Sequence, residues 1–179
     1  MDFVPYNRAA AVQYAHQWAY DRNPRFYNYE ELGGDCTNFA SQCLYAGTGI
    51  MNFEPIFGWY YRDANDNSPS WTGVTYFYNF LTENKVRTGP FATETDILSI
   101  EPGDFVQLNL DADEAFDHTP IIVERGEVPT LENVLVAAHS YDADYRPLNT
   151  YDFTQIRFLH VLGAWLPPWH PEPFSSFLR

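Results

Sequence analysis

The pattern of apolar residues changes character once along this chain, at Gly89-Pro90, and that change restricts the folds open to it. Before it, Ala11, Tyr14, Ala15 and Trp18 recur at i, i+3, i+4 and i+7 within residues 7–20, one stripe of an amphipathic helix. Pro24 ends that helix by disfavouring helical geometry at Asn23. Trp71, Val74, Tyr78 and Leu81 mark a further helix, its start favoured by Pro69 between Ser68 and Ser70. After the change, apolar residues gather in short runs at 104–109, 119–125, 133–138 and 156–162, separated by acidic or Pro/Gly-containing turns. Helices first and strands second predict an α+β fold, with N-terminal helices packed on a small, mostly antiparallel sheet. The 179 residues fit one such domain, 1–165, followed by an extended proline-rich end, 166–179.

Between the helices lies GGDCTNFASQCLYAG, Gly33 to Gly47, which holds both cysteines of the chain. It reads as a helix entered at Asp35 or Cys36, with Asp35 as N-cap and Gly47 as the left-handed residue past its end. Cys36 then sits in the first turn, where unpaired N–H groups and the helix dipole stabilise an anion and so favour a nucleophilic thiolate. Burial as a plain packing residue is the competing reading, and the one preferred for Cys43. On one helix the two cysteines are about 10 Å apart at 1.5 Å rise per residue, too far to form a disulfide with each other.

A thiol nucleophile needs a base, and there are five histidines to supply one. His16 lies beside the stripe of the first helix, His170 in the proline-rich end, and His160 inside a strand, positions that suit packing or solvation. His118 stands between an acidic turn and the apolar run PIIVE, and His139 ends VLVAAHS. If those strands pair, the two histidines meet at one edge of the sheet, one as base and the other as its orienter. Asp142 or Asp144 is the alternative third group. Zinc is the rival use of Cys36, Cys43, His118 and His139, but no CxxC or HxxxH pair holds them at short spacing; no metal or other cofactor is expected.

Net charge of −14 repels phosphate backbones and anionic lipid surfaces, so neither nucleic acid nor membrane is an expected partner. No apolar run approaches the roughly 20 residues of a membrane span, and MDFVPYNRAA has no signal-peptide pattern. The expectation is a cytoplasmic protein, or an exported one whose leader has been removed. Aromatic residues, at 18%, are abundant enough either to fill a core or to line a surface for peptides or sugars. Three of them are adjacent in Gly58-Trp59-Tyr60-Tyr61, and Trp59 and Tyr60 are the candidates for substrate binding.

GGDCTNFASQCLYAG, EPGDFVQL, DHTPIIV and LVAAHSYDADYRPL, in that order, resemble the bacterial putative amidase domain family, related to the NlpC-like and CHAP cysteine hydrolases. The resemblance runs from YNRAAAVQYAHQWA to IRFLHVLG and implies a papain-like core. It implies Cys36 as nucleophile, His118 as general base, His139 as the group that orients His118, and the Cys36 N–H as part of an oxyanion hole. Asp35 corresponds to the acidic residue common before the nucleophile in NlpC-like enzymes. Where those enzymes follow the cysteine with small residues, this chain has Thr37-Asn38, so the pocket shape is not carried over. Asn38 or Gln42 is a further candidate oxyanion donor, with hydrogen bonding along the helix surface as the simpler account. The implied activity is amide hydrolysis of peptide or peptidoglycan-derived substrates. Acyl transfer by the same Cys–His chemistry and a non-catalytic aromatic binding module are the alternatives.

Overall fold

The structure, a computed structural model, describes residues 1–111 and 115–167. In chain order its principal elements are β1 (Asp2–Pro5), α1 (Arg8–Trp18), α2 (Cys36–Thr48), β2 (Tyr61–Asp63), β3 (Asp66–Asn67), α3 (Pro69–Thr72), α4 (Val74–Glu83) and β4 (Gly89–Thr95), then β5 (Phe105–Asn109), β6 (Ile121–Glu124), β7 (Leu135–Ala138), β8 (Ala143–Pro147) and β9 (Gln155–Leu166). The fold is α+β, with helices in the first half and a curled antiparallel sheet supplied largely by the second. From position 168 on, the proline-rich end and His170 lie outside the described residues. Among the described residues no helix is long and apolar enough to cross a membrane.

Strand β9 is the spine of the 7-stranded sheet, which runs β1-β9-β5-β6-β7-β8 with β4 also on β9. One edge of β9 pairs with β4, and the other pairs with β5 along Gln155–Leu159 and with β1 along Gly163–Leu166. Strands β1, β4 and β8 lie outside the runs expected from the sequence, and each contains a proline: Pro5, Pro90 and Pro147. Among the described residues each also pairs with one strand only. Proline, which lacks the N–H, is tolerated on such an edge and excluded from a central strand, so a residue that reads as a turn in sequence is here part of a border.

Alternation along the central strands places apolar residues on both faces. Phe105, Ile121, Ala137 and Leu159 face the helices, while Val106, Leu108, Ile122, Val136 and Phe158 pack on the other side with Ile100, Leu148 and Tyr151. The helix-side core takes most of the large aromatics. Trp59 and Trp71 are fully buried with ring centroids 4.7 Å apart, and Phe26, Tyr61 and Phe80 surround them.

Asn7 caps α1, its side chain accepting from Ala10 N at 3.0 Å. The helix expected from Pro69 to Leu81 is two, broken where Gly73 adopts extended geometry (φ −106°, ψ 127°). Helix α2 runs two residues past the predicted end, and Gly49 (φ 66°), not Gly47, takes the left-handed cap. Gly47 instead lets α2 approach the N-terminal segment, since a Cβ there would overlap the Tyr6 ring and lie 3.0 Å from Asn7 O. Gly47→Ala is therefore expected to destabilise by roughly 1–3 kcal/mol, despite alanine's better helix propensity, read as a lower urea midpoint at unchanged slope.

Candidate active site

Helix α2 begins at Cys36, a residue that is 6% exposed. Its Sγ is 3.7 Å from Thr37 Oγ1 and 3.8 Å from the carbonyl oxygen of Asp117, the residue before His118. Thr37 Oγ1 donates to Thr119 Oγ1 at 3.2 Å, joining the first turn of α2 to the segment that enters β6. That segment is fixed in turn. The His118 main chain pairs with Leu108, and the Asp117 carboxylate accepts from Leu110 N and Asp111 N at 3.0 to 3.1 Å.

Cys36 and His118 line one cleft of about 410 Å³, with Gly33, Gly34, Ser140 and Tyr141 forming more of its wall and Glu30, Asp111 and Asp117 making it acidic. Burial pushes the Cys36 thiol up, while backbone N–H groups of Thr119 and Thr37 and the Thr37 hydroxyl pull it back. Burial depresses His118 from 6.5 to about 4, with the Arg146 charge acting the same way. The resting pair is thus thiol and neutral imidazole. His118 Nε2 is buried with no hydrogen-bond partner among the described residues, and the ring lies 5.5 Å from that of Tyr151.

This burial has a pH signature. Between 6.5 and about 4 the unfolded chain protonates His118 while the folded chain does not, so stability falls as pH falls through that window. The fall attributable to this one group is about 3 kcal/mol at 1.36 kcal/mol per pH unit. His118→Gln is expected to flatten that part of the curve when urea unfolding is followed from pH 7 to pH 4.

The expectation that His139 orients His118 is corrected by the geometry. Ile121 is opposite Ala137 in the β6–β7 ladder, and extending that register sets Thr119, not His118, across from His139. The two imidazoles consequently leave opposite faces of the sheet. His118 packs against Tyr151 on one side, and His139 stacks on Phe39 of α2 on the other, with centroids 4.0 Å apart. His139 Nδ1 is 2.6 Å from Asp35 Oδ2 and Nε2 is 2.8 Å from Trp18 O. Both facing oxygens are hydrogen-bond acceptors. The alternative third groups are committed as well, Asp142 to Arg22 and Asp144 to His16.

Asp35 occupies the N-cap position but makes no side-chain capping bond. Fully buried, its carboxylate holds His139 and accepts from Tyr29 N at 2.9 Å and Asn38 Nδ2 at 2.8 Å. Its N–H donates to Ser140 Oγ at 2.8 Å. Asp35 therefore ties the turn that carries Cys36 to the end of β7, a role invisible in sequence because these partners lie 104 and 105 positions away.

The substrate-binding expectations also change. Asn38 spends its amide inward, donating to Tyr27 O and Asp35 Oδ1 and accepting from Trp71 Nε1, so it has no donor left for an oxyanion. Trp59 is a core residue, its Nε1 donating to Ser41 Oγ. Tyr60 is half-buried but lies against Phe53 and Arg62, away from the cleft wall. Among the described residues no group of three or more His, Cys, Asp or Glu could hold a metal ion.

No solved structure matches the chain. Among curated proteins it is similar to the uncharacterized protein YhbB of Bacillus subtilis (strain 168), at 33% identity over 167 residues, which is 88% of this chain and 50% of YhbB. The chain thus spans about half the length of that relative. The family model described as "Putative amidase domain" matches residues 5–162, from the end of β1 through most of β9, and so takes in every cleft residue named above: the chain belongs to the putative amidase domain family.

Proposed function

We propose that the chain is a thiol-dependent amide hydrolase, related to NlpC-like and CHAP cysteine hydrolases and built on a papain-like core. The observation that carries this reading is the shared cleft. It brings a cysteine at a helix N-terminus together with a neutral, buried histidine that has an uncommitted ring nitrogen. Membership of an amidase family supports it.

Cys36 attacks the amide carbonyl carbon while its thiol proton passes to His118, a transfer between neutral partners that needs no preformed ion pair. Backbone N–H groups of the first turn of α2 stabilise the oxyanion. The C–N bond then breaks, the protonated His118 gives its proton to the departing amine, and an acyl-thioester remains on Cys36. Water, deprotonated by His118, attacks that carbonyl and the thiolate leaves, reclaiming the proton. Because no described residue hydrogen-bonds the His118 ring at Nε2, its orientation rests on packing against Tyr151. The Asp35–His139 pair acts one layer away, by fixing the nucleophile's turn.

Peptide or peptidoglycan-derived amides are the proposed substrates. The test is digestion of purified peptidoglycan and of a peptide library, with mass spectrometry of the fragments before and after iodoacetamide treatment. Amide scission that stops as Cys36 becomes alkylated is the expected result. Scission that continues with Cys36 fully alkylated would refute the reading. Added amine captured in the product in place of water would reassign the second half-reaction to acyl transfer.

A further inference from the structure

The cleft continues past His118 into a second cavity of about 290 Å³, lined by Leu110, Tyr141, Arg146, Tyr151 and Asp152. Leu110 and Tyr141 belong to both cavities, so the two are contiguous. The second lies on the histidine's side, because Tyr151 packs against the His118 ring.

Arg146 is held rigidly there. Its Nε donates to Thr150 Oγ1 and its Nη2 to Thr150 O, both at 2.9 Å, and its guanidinium carbon sits 3.7 Å from the centroid of the Tyr151 ring. Among the described residues Nη1 has no hydrogen-bond partner and no carboxylate lies within ion-pair distance of the guanidinium. By contrast Arg8, Arg22, Arg62 and Arg87 each pair with Asp or Glu. A second polar group points the same way. Tyr151 is 7% exposed, and its buried hydroxyl lies beside Arg146 without making a well-formed hydrogen bond among the described residues. A preorganised guanidinium beside an unsatisfied buried hydroxyl is a donor set for a planar anion. Among the described residues Asp152, exposed at the rim, is the one acidic side chain on this wall, and solvent screens it.

We infer that the Arg146–Tyr151 cavity is a subsite for a carboxylate carried by the amine half of the substrate, so that the bond cut is one whose leaving amine bears an acid group. This rests on the proposed hydrolase reading for the direction of the substrate. His118 protonates the leaving amine, and the Arg146 cavity lies on its side of the cleft. The acyl half then occupies the acidic cavity with Cys36. A peptide bond preceding a C-terminal amino acid has this chemistry: thioester formation releases that amino acid with its carboxylate still on Arg146.

Binding can be read without turnover in the Cys36→Ala protein, titrated calorimetrically with matched peptide libraries ending in a free carboxylate or in a carboxamide. The free acids are expected to bind at least tenfold more tightly. Arg146→Gln should abolish that preference, Arg146→Lys should retain part of it, and Asp152→Asn should increase it. Melting temperatures confirm that each variant is folded. Equal affinity of acids and amides for Cys36→Ala overturns the subsite, whatever the enzyme does. If acids are preferred in binding but the wild-type protein cleaves neither library, the subsite stands and the hydrolase reading falls.

Discussion

Cys36→Ala should lower amide hydrolysis by at least about a thousandfold while leaving the fold intact, because removal of a nucleophile takes with it the whole covalent route. The contrast with Cys43→Ala makes the result specific. Cys43 lies in the core at 0% exposure, and its thiol is pushed well up by burial, as befits an inert packing group. Its replacement should cost on the order of 1 kcal/mol with activity retained. Single-turnover kinetics and thermal melts on the two variants check both halves. Loss of turnover in a folded Cys43→Ala protein, with activity surviving in Cys36→Ala, would remove Cys36 from the mechanism. His118→Ala should match the Cys36 defect. In the wild type, kcat/KM should hold as pH falls from 7 and decline only near 4, where the base becomes protonated.

Asp35→Ala is expected to be the most destabilising single change in the site, at about 3–5 kcal/mol. It strips the buried His139 of its carboxylate and leaves Tyr29 N and Asn38 Nδ2 without their acceptor. His139→Gln should cost nearly as much, since Asp35 Oδ2 would lose its 2.6 Å partner and keep Arg22 Nε, at 3.7 Å, as its cationic neighbour among the described residues. Urea unfolding of both singles and of Asp35→Asn/His139→Gln gives the coupling directly. A double variant much less damaged than the sum of the singles is the mark of a pair that acts as a unit. A His139→Gln protein of normal stability that has lost turnover would instead return His139 to the role of orienter for His118.

The placement of these residues shows where the sequence was legible. The cysteine at a helix start, the histidine at a strand start and the order of helices before strands are each local, fixed by periodicity, turn residues and proline geometry within about a dozen positions. The four strand runs noticed in the second half all lie in the sheet, as β5, β6, β7 and β9. The border strands escaped notice because proline at an edge and proline in a turn look the same until a neighbour is known.

What local pattern could not supply was the face each side chain takes. His118 and His139 both sit at the same end of adjacent strands, as read, but a single residue of register decides whether they meet or diverge. Likewise Trp59 and Asn38 are chemically suited to a binding site, and only the packing of α2 against the Trp71 segment turns both inward. Arg146 and Tyr151 are not legible as a pair in the sequence, because a guanidinium without a carboxylate partner and a hydroxyl without a well-formed hydrogen bond, both among the described residues, are properties of surroundings and not of residue type. The sequence by itself therefore determined most of the elements and placed one cysteine at a helix start and one histidine ahead of a strand, since those follow from short-range sterics. The tertiary structure decided which histidine faces the cleft, what Asp35 holds and which polar groups line the second cavity, since each depends on contacts between residues far apart in the chain or on the alternation of a pleated strand.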